Sequence, residues 1–332
     1  MRIVLDAMGG EHSPAAEVEG AVTVAKEHSI EIVLVGKKDA VETELKKHRY
    51  DLPIVAASQI IEMKDNPSEV MRDKRDSSIA VGMKLVKNGQ ADAFVSAGNT
   101  GAVMTAATLI LGRIEGIERP ALSVLASLPS NPVLLLDVGA NANCKPEYLV
   151  QFAQMGSVYM EKTFGIERPR VGLLSNGEED NKGNSLVCEA HKLLRNTKLN
   201  FVGNIEGNDL SSNSTDVLIT DGFTGNILIK VGEGISEVFA QSVKQTLTQQ
   251  LYLSTVAFLI KPILRSAFSS IDYSKYGGAP LLGVNGNVII AHGHSNAKAI
   301  SGALFIAKQT VEQDIVNAIR EGAYHAGTIA YR

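Results

Sequence analysis

Three turns rich in glycine and polar side chains are the part of this sequence best suited to chemistry. Each follows a short apolar run: the first turn lies in residues 94–101, the second in 134–143 and the third in 217–226. A buried strand that enters a helix through such a turn leaves unpaired backbone N–H groups at the helix start, and these attract anions. One such turn is more often scaffold than site. Three of them, carrying Asn, Thr and Asp, predict a cleft that holds phosphate or a developing oxyanion.

The elements that must position these turns alternate along most of the chain as short β-branched runs and helical patterns. This alternation predicts an α/β fold, doubly wound in three α/β/α layers, with a largely parallel sheet. Hairpin turn signals in residues 276–286 precede the apolar run 288–291, so we expect a mixed sheet. The predicted strands are residues 2–5, 32–35, 91–95, 133–137, 171–174, 201–203 and 216–220. The predicted helices are residues 14–28, 77–87, 99–111, 147–163, 185–195 and 296–320.

Composition predicts a globular protein that does not bind nucleic acid. The chain has 332 residues, 45% of them hydrophobic and 20% charged, with a formal net charge of −4. Cys144 and Cys188 are too few for a disulfide framework, and residues 1–6 reach an acid before an apolar signal stretch can develop. We therefore expect a cytoplasmic protein, folded as one unit of two α/β lobes around the cleft over residues 1–332.

Residues 244–272 depart from the α/β pattern. Residues 246–260 carry no charge and residues 238–271 no acidic side chain. A bilayer crossing needs about 20 apolar residues, and Lys261-Pro262 interrupts the run too early. We expect a helical excursion that lies on a membrane surface or a partner, or is buried in a homodimer; the sequence favours neither. The side chains predicted to make this contact are Leu251, Phe258, Leu259, Lys261, Ile263, Leu264 and Arg265.

Several familiar catalytic motifs do not occur in the sequence. There is no GxGxxG, GxxxxGK[ST], HExxH or GxSxG, which excludes the usual dinucleotide, P-loop, zinc-protease and hydrolase sites. His292 and His294 flank Gly293 without a nearby cysteine, a pattern more typical of a polar turn than of a metal pair. We predict no metal and no cofactor.

Longer motifs occur in order from one end of the chain to the other. They are Asp6-Ala-Met-Gly-Gly10, Ser96-Ala-Gly-Asn-Thr-Gly101, Glu118-Arg-Pro120, Gly139-Ala-Asn141, residues 215–226, Asn66-Pro-Ser68 with Arg72 and Arg75, Gly177-Glu-Glu179, Lys182-Gly183, residues 276–283 and His292-Gly293. With these motifs the chain resembles the bacterial acyl-ACP:phosphate acyltransferase (PlsX) family. The resemblance implies a fold similar to isocitrate and isopropylmalate dehydrogenases and to phosphotransacetylase, a homodimer, and a role at the start of phospholipid synthesis.

The implied reaction moves a fatty acyl group from acyl carrier protein to inorganic phosphate, without a cofactor. A downstream membrane acyltransferase would use the acyl phosphate. The predicted catalytic residues are Asn99, Thr100, Lys182, Asp221 and Asn226. The residues predicted to bind phosphate or substrate are Asp6, Gly9, Gly10, Ser96, Gly98, Gly101, Asp137, Asn141, Asn143, Gly225, Lys230 and His294.

These residues are assigned roles by type. The first turn would cradle phosphate, and Asn141, Asn143 or Asn226 would stabilise the oxyanion. Lys182 or Lys230 would neutralise phosphate or protonate the departing thiolate. Asp137 and Asp221 would either orient the nucleophile or, as ordinary strand-end carboxylates, cap the next turn. A covalent route through Cys144 is a minor alternative, because a thiolate needs electropositive surroundings.

The partners and alternatives follow from charge and fold. An acidic carrier protein would bind a basic cluster, either Arg72, Lys74 and Arg75 or Lys261 and Arg265. Lys261 and Arg265 would also suit anionic lipid and peripheral membrane association. A phosphotransacetylase that uses acyl-CoA would share the fold and the anion cleft. A nicotinamide-dependent decarboxylating dehydrogenase and a non-catalytic membrane-associated scaffold are further alternatives.

Overall fold

The centre of the molecule is one mixed sheet. The structure is a computed structural model and describes residues 1–28, 30–127, 132–212, 214–249 and 277–327. Within these residues the sheet has 11 strands in the order β3-β2-β1-β4-β11-β10-β5-β6-β9-β7-β8. The strands are β1 Arg2–Asp6, β2 Glu31–Gly36, β3 Ile54–Ala56, β4 Ala93–Ser96, β5 Ala121–Ser127, β6 Pro132–Leu136, β7 Arg170–Leu174, β8 Asn200–Ile205, β9 Val217–Ile219, β10 Ala279–Leu282 and β11 Asn287–Ile290.

Helices connect most of these strands. Their bounds are α1 Ala15–Glu27, α2 Lys38–His48, α3 Pro67–Asp73, α4 Ser78–Lys87, α5 Thr100–Ala106, α6 Pro146–Phe164, α7 Ser185–Arg195, α8 Gly222–Gln249, α9 Ala297–Glu312 and α10 Ile315–Gly327. Helix α5 continues as the π-helix Ala107–Leu111. Five of the described helices begin after side chains that accept a backbone N–H bond of the first turn, as polar start signals predict. These caps are Ser77, Asn99, Asn184, Asp221 and Asn296.

The sheet contains two parallel runs that point in opposite directions. Strands β3, β2, β1, β4 and β11 are parallel to one another, as are β6, β9, β7 and β8. Between the runs, β10 is antiparallel to β11, β5 to β10, and β6 to β5. The carboxyl ends of β1, β4 and β11 therefore lie at one edge of the sheet, and those of β6, β9 and β7 at the opposite edge.

This topology separates the three turns. The first turn follows β4, whereas the second and third follow β6 and β9 at the other edge. Helix α8 starts in the third turn, and its Lys230 Nζ lies 3.4 Å from His292 Nε2, just beyond the carboxyl end of β11. Helix α8 therefore links the third turn to the loop after β11.

The core lies on both faces of the sheet. Strand segments such as Ile3, Leu5, Leu134 and Val217 are 0% exposed. Continuous apolar runs of this kind are typical of parallel strands covered by helices on both faces.

The architecture predicted from sequence is confirmed. All seven predicted strands are present, and five of the six predicted helices match observed ones. The prediction of one helix over residues 296–320 is wrong: α9 and α10 are separate because Asp314, at φ +49°, turns the chain into the left-handed region between them. The sequence patterns also missed β3, β5, α2 and α3, and they predicted the start of α8 in the third turn without its extent.

The charge-free run lies mostly outside the described residues. Its predicted contacts at Leu251, Phe258, Leu259, Lys261, Ile263, Leu264 and Arg265 all fall in residues 250–276, which the structure does not describe. Among the helices that are described, none combines the length and apolar character needed to cross a bilayer.

Candidate functional site

The first turn keeps two backbone donors open. Asn99 caps α5, since its Oδ1 accepts the Ala102 N–H at 3.0 Å. Its Nδ2 donates to the carbonyl oxygens of Met63 at 2.9 Å and Asp65 at 3.1 Å. The Asn99 amide is thus committed to protein partners, and its role in the site is positional. The N–H groups of Thr100 and Gly101 have no acceptor among the described residues, so this helix start can receive an anion.

A buried network ties the first turn to the loop after β1. Asp6 is 0% exposed, and its Oδ2 accepts the Ser96 hydroxyl at 2.7 Å. Ser96 Oγ accepts the Gly98 N–H at 3.0 Å, and Asp6 Oδ1 accepts the Met8 N–H at 3.0 Å. Burial raises the pKa of Asp6, against hydrogen bonds from Ser78 and Ser96 that lower it. Asp6 and Ser96 were predicted to bind substrate. In the structure their buried side chains instead hold the loops after β1 and β4 together.

Gly9 lets these loops approach each other. A Cβ on Gly9 would lie 2.6 Å from Asp6 Oδ2 and 2.7 Å from the Gly98 nitrogen. No side chain fits there without moving backbone. The predicted site residues Gly9 and Gly98 therefore serve the close packing of the two loops.

Glu17 is a buried acid behind the same loop, and sequence reasoning missed it. Its Oε1 accepts the Gly10 N–H at 3.1 Å, whereas Oε2 has no partner among the described residues. Burial, helped by the charge of Asp6, raises the pKa of Glu17 to about 7. The helical spacing of Glu17 with Ala21 and Val24, both buried, was the signal that could have located it on the inner face of α1.

Two histidines and a lysine stand beside the first turn. Ile290 of β11 is the register partner of Ser96, so the loop after β11 runs alongside the loop after β4. His292 Nε2 faces Lys230 Nζ at 3.4 Å. His294 Nδ1 lies 3.0 Å from Glu11 Oε2. Lys230 also pairs with Glu233 at 2.7 Å. The structure thus brings the predicted residues Lys230 and His294 to the edge that carries the open donors.

The second turn is filled by its own carboxylate. Asp137 is 0% exposed. Its Oδ1 accepts N–H bonds from Leu122, Gly139 and Ala140, and its Oδ2 accepts two from Asn141. Burial raises the pKa of Asp137, while these bonds oppose the rise. These five bonds favour the alternative in which Asp137 caps its own turn, and a role in orienting the nucleophile stays a prediction.

Of the other predicted site residues in the second turn, Asn141 is hydrogen-bonded within the protein and Asn143 is exposed. The Asn141 amide donates to Pro120 O at 2.7 Å and to Asp137 Oδ2 at 2.9 Å. Asn141 therefore has no free donor for an oxyanion, which corrects that prediction. Asn143 is exposed and remains a candidate.

The third turn is capped in the same way. Asp221 Oδ1 accepts the Phe223 and Thr224 N–H groups at 3.0 and 2.9 Å. A Cβ on Gly225 would lie only 1.9 Å from the carbonyl oxygen of Asp137, so this glycine is needed for packing α8 against the second turn and not for anion binding. Asn226 is exposed and one helical turn before Lys230, which puts both side chains on one face of α8.

Lys182 lies away from these contacts. It is exposed in the loop after β7, where its Nζ is 4.0 Å from Glu179 Oε2. The structure shows no contact between Lys182 and the first-turn edge among the described residues. Its catalytic role stays a prediction.

The predicted carrier-protein surface on α3 is smaller than expected. Lys74 is half-buried, bound to Asp65 Oδ2 at 2.5 Å and to the Ile60 carbonyl. Arg72 and Arg75 are exposed. Lys74 is therefore a structural tie, and the two arginines remain as the cationic surface.

Cys144 is poorly suited to nucleophilic chemistry. Burial raises the pKa of its thiol to about 11, and the carboxylates of Asp137 and Asp221 add to the rise. The thiolate that a covalent route needs is disfavoured at neutral pH.

Comparison with known sequences gives consistent matches over nearly the whole chain. The family model described as Fatty acid synthesis protein matches residues 1–318. The chain is similar to Phosphate acyltransferase of Heliobacterium modesticaldum, with 49% identity over 325 residues covering 97% of each protein. It is also similar to Phosphate acyltransferase of Dictyoglomus turgidum, with 46% identity over 327 residues and 97% coverage of both.

Solved structures share the fold at low identity. A phosphotransacetylase from Streptococcus pyogenes superimposes with a TM-score of 0.64 at 18% identity, covering 94% of each chain. A branched-chain phosphotransacylase from Enterococcus faecalis gives a TM-score of 0.61 at 15% identity, covering 93% of this chain and 99% of the other. These similarities confirm the predicted phosphotransacetylase-like fold.

Proposed function

We propose, because this chain belongs to the family described as Fatty acid synthesis protein, that it is a phosphate acyltransferase: it transfers a fatty acyl group from acyl carrier protein to inorganic phosphate. The resemblance read from the sequence motifs is confirmed by the relatives named Phosphate acyltransferase. The observation that supports the placement of the reaction is the pair of open N–H groups at Thr100 and Gly101. The neighbouring loop after β11 brings His292 to Lys230.

Phosphate would bind at the first turn. The open N–H groups of Thr100 and Gly101 lie at the start of α5, where the helix dipole also favours negative charge. Lys230 supplies an exposed cation next to His292 in the neighbouring loop. Phosphate held in this way lies between loops whose spacing Asp6, Ser96 and Asn99 keep constant from behind. Positioning is the main task, because a well-oriented nucleophile needs little further activation.

The reaction balances with the acyl thioester and inorganic phosphate as its only reactants. A phosphate oxygen attacks the thioester carbon, a C–O bond forms, and the tetrahedral oxyanion collapses with loss of the C–S bond. The proton of hydrogen phosphate balances the departing thiolate, so the products are acyl phosphate and the free carrier thiol. Asn226 stands one turn from Lys230 and has the exposed amide that an oxyanion donor requires.

The test uses a substitution that removes one backbone donor and little else. Thr100→Pro deletes the N–H at the first position of α5, where proline is tolerated. Asn99 lies outside the helical region that a following proline disfavours, at φ −53° and ψ 110°. Thr100→Ala is the matched control, since it keeps the N–H. Phosphate-dependent release of free thiol from long-chain acyl carrier protein is measured beside the matching acyl-CoA.

We expect thiol release that requires phosphate and the carrier-bound donor. Thr100→Pro should raise the KM for phosphate about 10- to 100-fold relative to Thr100→Ala, as expected for a charged hydrogen bond. Equal activity with acyl-CoA would favour a phosphotransacetylase that uses CoA. No release from either donor would refute the enzyme function, and equal KM values for the two variants would move the phosphate away from the first turn.

We further propose a homodimer that associates peripherally with a membrane, where a membrane acyltransferase takes up the acyl phosphate. Support comes from an exposed apolar row along α8 with a four-residue spacing, which leads toward the charge-free residues 246–260. The row consists of Phe223, Ile227, Val231, Ile235 and Phe239, all between 46% and 65% exposed. Sedimentation velocity of Ile235→Glu tests the dimer contact, and flotation of the same variant with anionic vesicles tests the membrane contact. If the substitution changes neither result, α8 makes neither contact.

A further inference from the structure

We propose that His292 and Lys230 together clamp one oxygen of phosphate, with His292 as a binding residue that no sequence motif assigned to this task. The inference rests on the proposed function, because it names a further ligand of the same phosphate. Its basis is the hydrogen-bond geometry around the His292 ring.

The ring of His292 has a hydrogen-bond donor against each of its nitrogens. The His294 backbone N–H points to Nδ1 at 3.3 Å, and the Lys230 ammonium stands 3.4 Å from Nε2. A neutral imidazole has one N–H and one acceptor nitrogen. Whichever tautomer forms, one ring N–H faces another donor.

An anion resolves this conflict. If Nδ1 accepts the His294 N–H, the proton lies on Nε2, and two donors then face each other across 3.4 Å. An oxygen placed beside that gap accepts a bond from each. Charge-assisted bonds of this kind are among the stronger ones that a protein makes to phosphate. Both side chains are exposed, so an anion can reach them from solvent.

The surroundings fix the ring in the orientation that the clamp needs. His292 stacks on His294, with ring centroids 5.5 Å apart and an interplanar angle of 25°. His294 is held in turn by Glu11 at 3.0 Å. Glu11 N–H donates to the Gly293 carbonyl at 2.9 Å, which ties this loop to the one that carries Gly9 and Gly10. The clamp is therefore built on the same loops as the open donors of the first turn.

Glu233 is the internal competitor for Lys230. It pairs with the ammonium at 2.7 Å, three residues further along α8, and both side chains are largely exposed. An exposed pair of this type contributes little. Phosphate, with a second donor at His292, can displace it.

The experiment compares His292→Ala, Lys230→Met and the double variant. His48→Ala on α2 and Lys308→Met on α9 are matched controls, since both residues sit on helix surfaces beside a glutamate of their own helix. Thiol release gives KM for phosphate and kcat, and calorimetry with inorganic phosphate alone gives the Kd. Because both clamp side chains are exposed, the thermal midpoints should stay near that of the unmodified protein.

We expect each single variant to raise the KM and Kd for phosphate about tenfold, with kcat changed less than about twofold. The double variant should exceed either single variant by less than about threefold, because each donor acts through the other. His292→Gln, which retains an N–H donor, should recover part of the loss.

Two outcomes would overturn the clamp: a phosphate Kd within about twofold of the controls in His292→Ala, or a fully multiplicative double variant. Failure of the proposed function looks different. The unmodified protein would then release no thiol, while calorimetry with phosphate would still decide whether the clamp exists.

Discussion

The first turn and the other two are built from the same strand-turn-helix pattern but differ in what accepts the N–H bonds of the turn. In the first, the N–H groups of Thr100 and Gly101 remain open. In the third, Asp221 accepts two N–H bonds from the first turn of α8. In the second, Asp137 accepts N–H bonds from Gly139, Ala140 and Asn141 inside the turn itself, before α6 begins at Pro146. All three turns are thus anion sites in the physical sense, but two of them carry the anion as their own side chain. The difference shows where an external anion can bind.

The largest test of this comparison is Asp137→Ala. The substitution leaves five buried or partly buried donors without this acceptor, so we expect a loss of about 4 kcal/mol of unfolding free energy. Chemical denaturation measures it, with Asp73→Ala, an exposed partner of Arg72, as the control. A loss below about 1 kcal/mol would mean that Asp137 is not the structural anion of the second turn.

Glu17→Gln sharpens the comparison from the side of the first turn, where a buried acid has an oxygen without a donor. The pKa of Glu17 is raised from 4.5 to about 7 in the folded protein. The native state therefore binds more protons than the unfolded state between these values, and stability falls as pH rises through that window. A neutral glutamine removes this penalty.

We expect Glu17→Gln to be more stable than the unmodified protein by about 3 kcal/mol near pH 8 and by less than about 1 kcal/mol near pH 5. Denaturation at the two pH values measures the difference. The carboxyl of Asp6 is the charged group that faces Glu17, and it is the same in both proteins. A stability difference that does not vary with pH would show that Glu17 titrates normally.

Cys144→Ser gives the smallest expected effect. The thiol belongs to the second turn, where its Sγ donates to Asn141 O at 3.3 Å. Since its pKa is raised to about 11, we expect thiol release to stay within about twofold of the unmodified rate. Loss of activity in a folded Cys144→Ser protein would instead support a covalent route through Cys144 and a catalytic role for the second turn.

Sequence patterns located most of the strands because buried parallel strands are short, continuous apolar runs. Strand β5 was missed since its alternation of small and polar residues is weak. The start of α8 was predicted in the third turn, but its extent was not, because its exposed apolar row obscures the usual division into two faces. The break at Asp314 depends on a single residue with a positive φ.

The site was predicted at the level of its turns but not of its side-chain roles. Residue type marks Asp137, Asp221 and Asn141 as chemically able. Only the structure shows that Asn141 donates to Asp137 and that Asp221 accepts the Thr224 N–H of its own helix start. Whether a carboxylate faces a substrate or its own backbone depends on contacts between residues distant in sequence. The same is true of His292 and Lys230, which are 62 residues apart.

The length of helix α8 and its anchored start couple movement at its far end to the position of Lys230. It is 28 residues long, or about 42 Å at 1.5 Å per residue, and its first turn is anchored by Asp221. Lys230 lies about 12 Å along it, less than a third of the way to Gln249. For a rigid α8 that pivots at the third turn, a sideways shift of about 3 Å at Gln249 moves the Lys230 backbone by about 1 Å. Catalytic positioning is sensitive to displacements of this size.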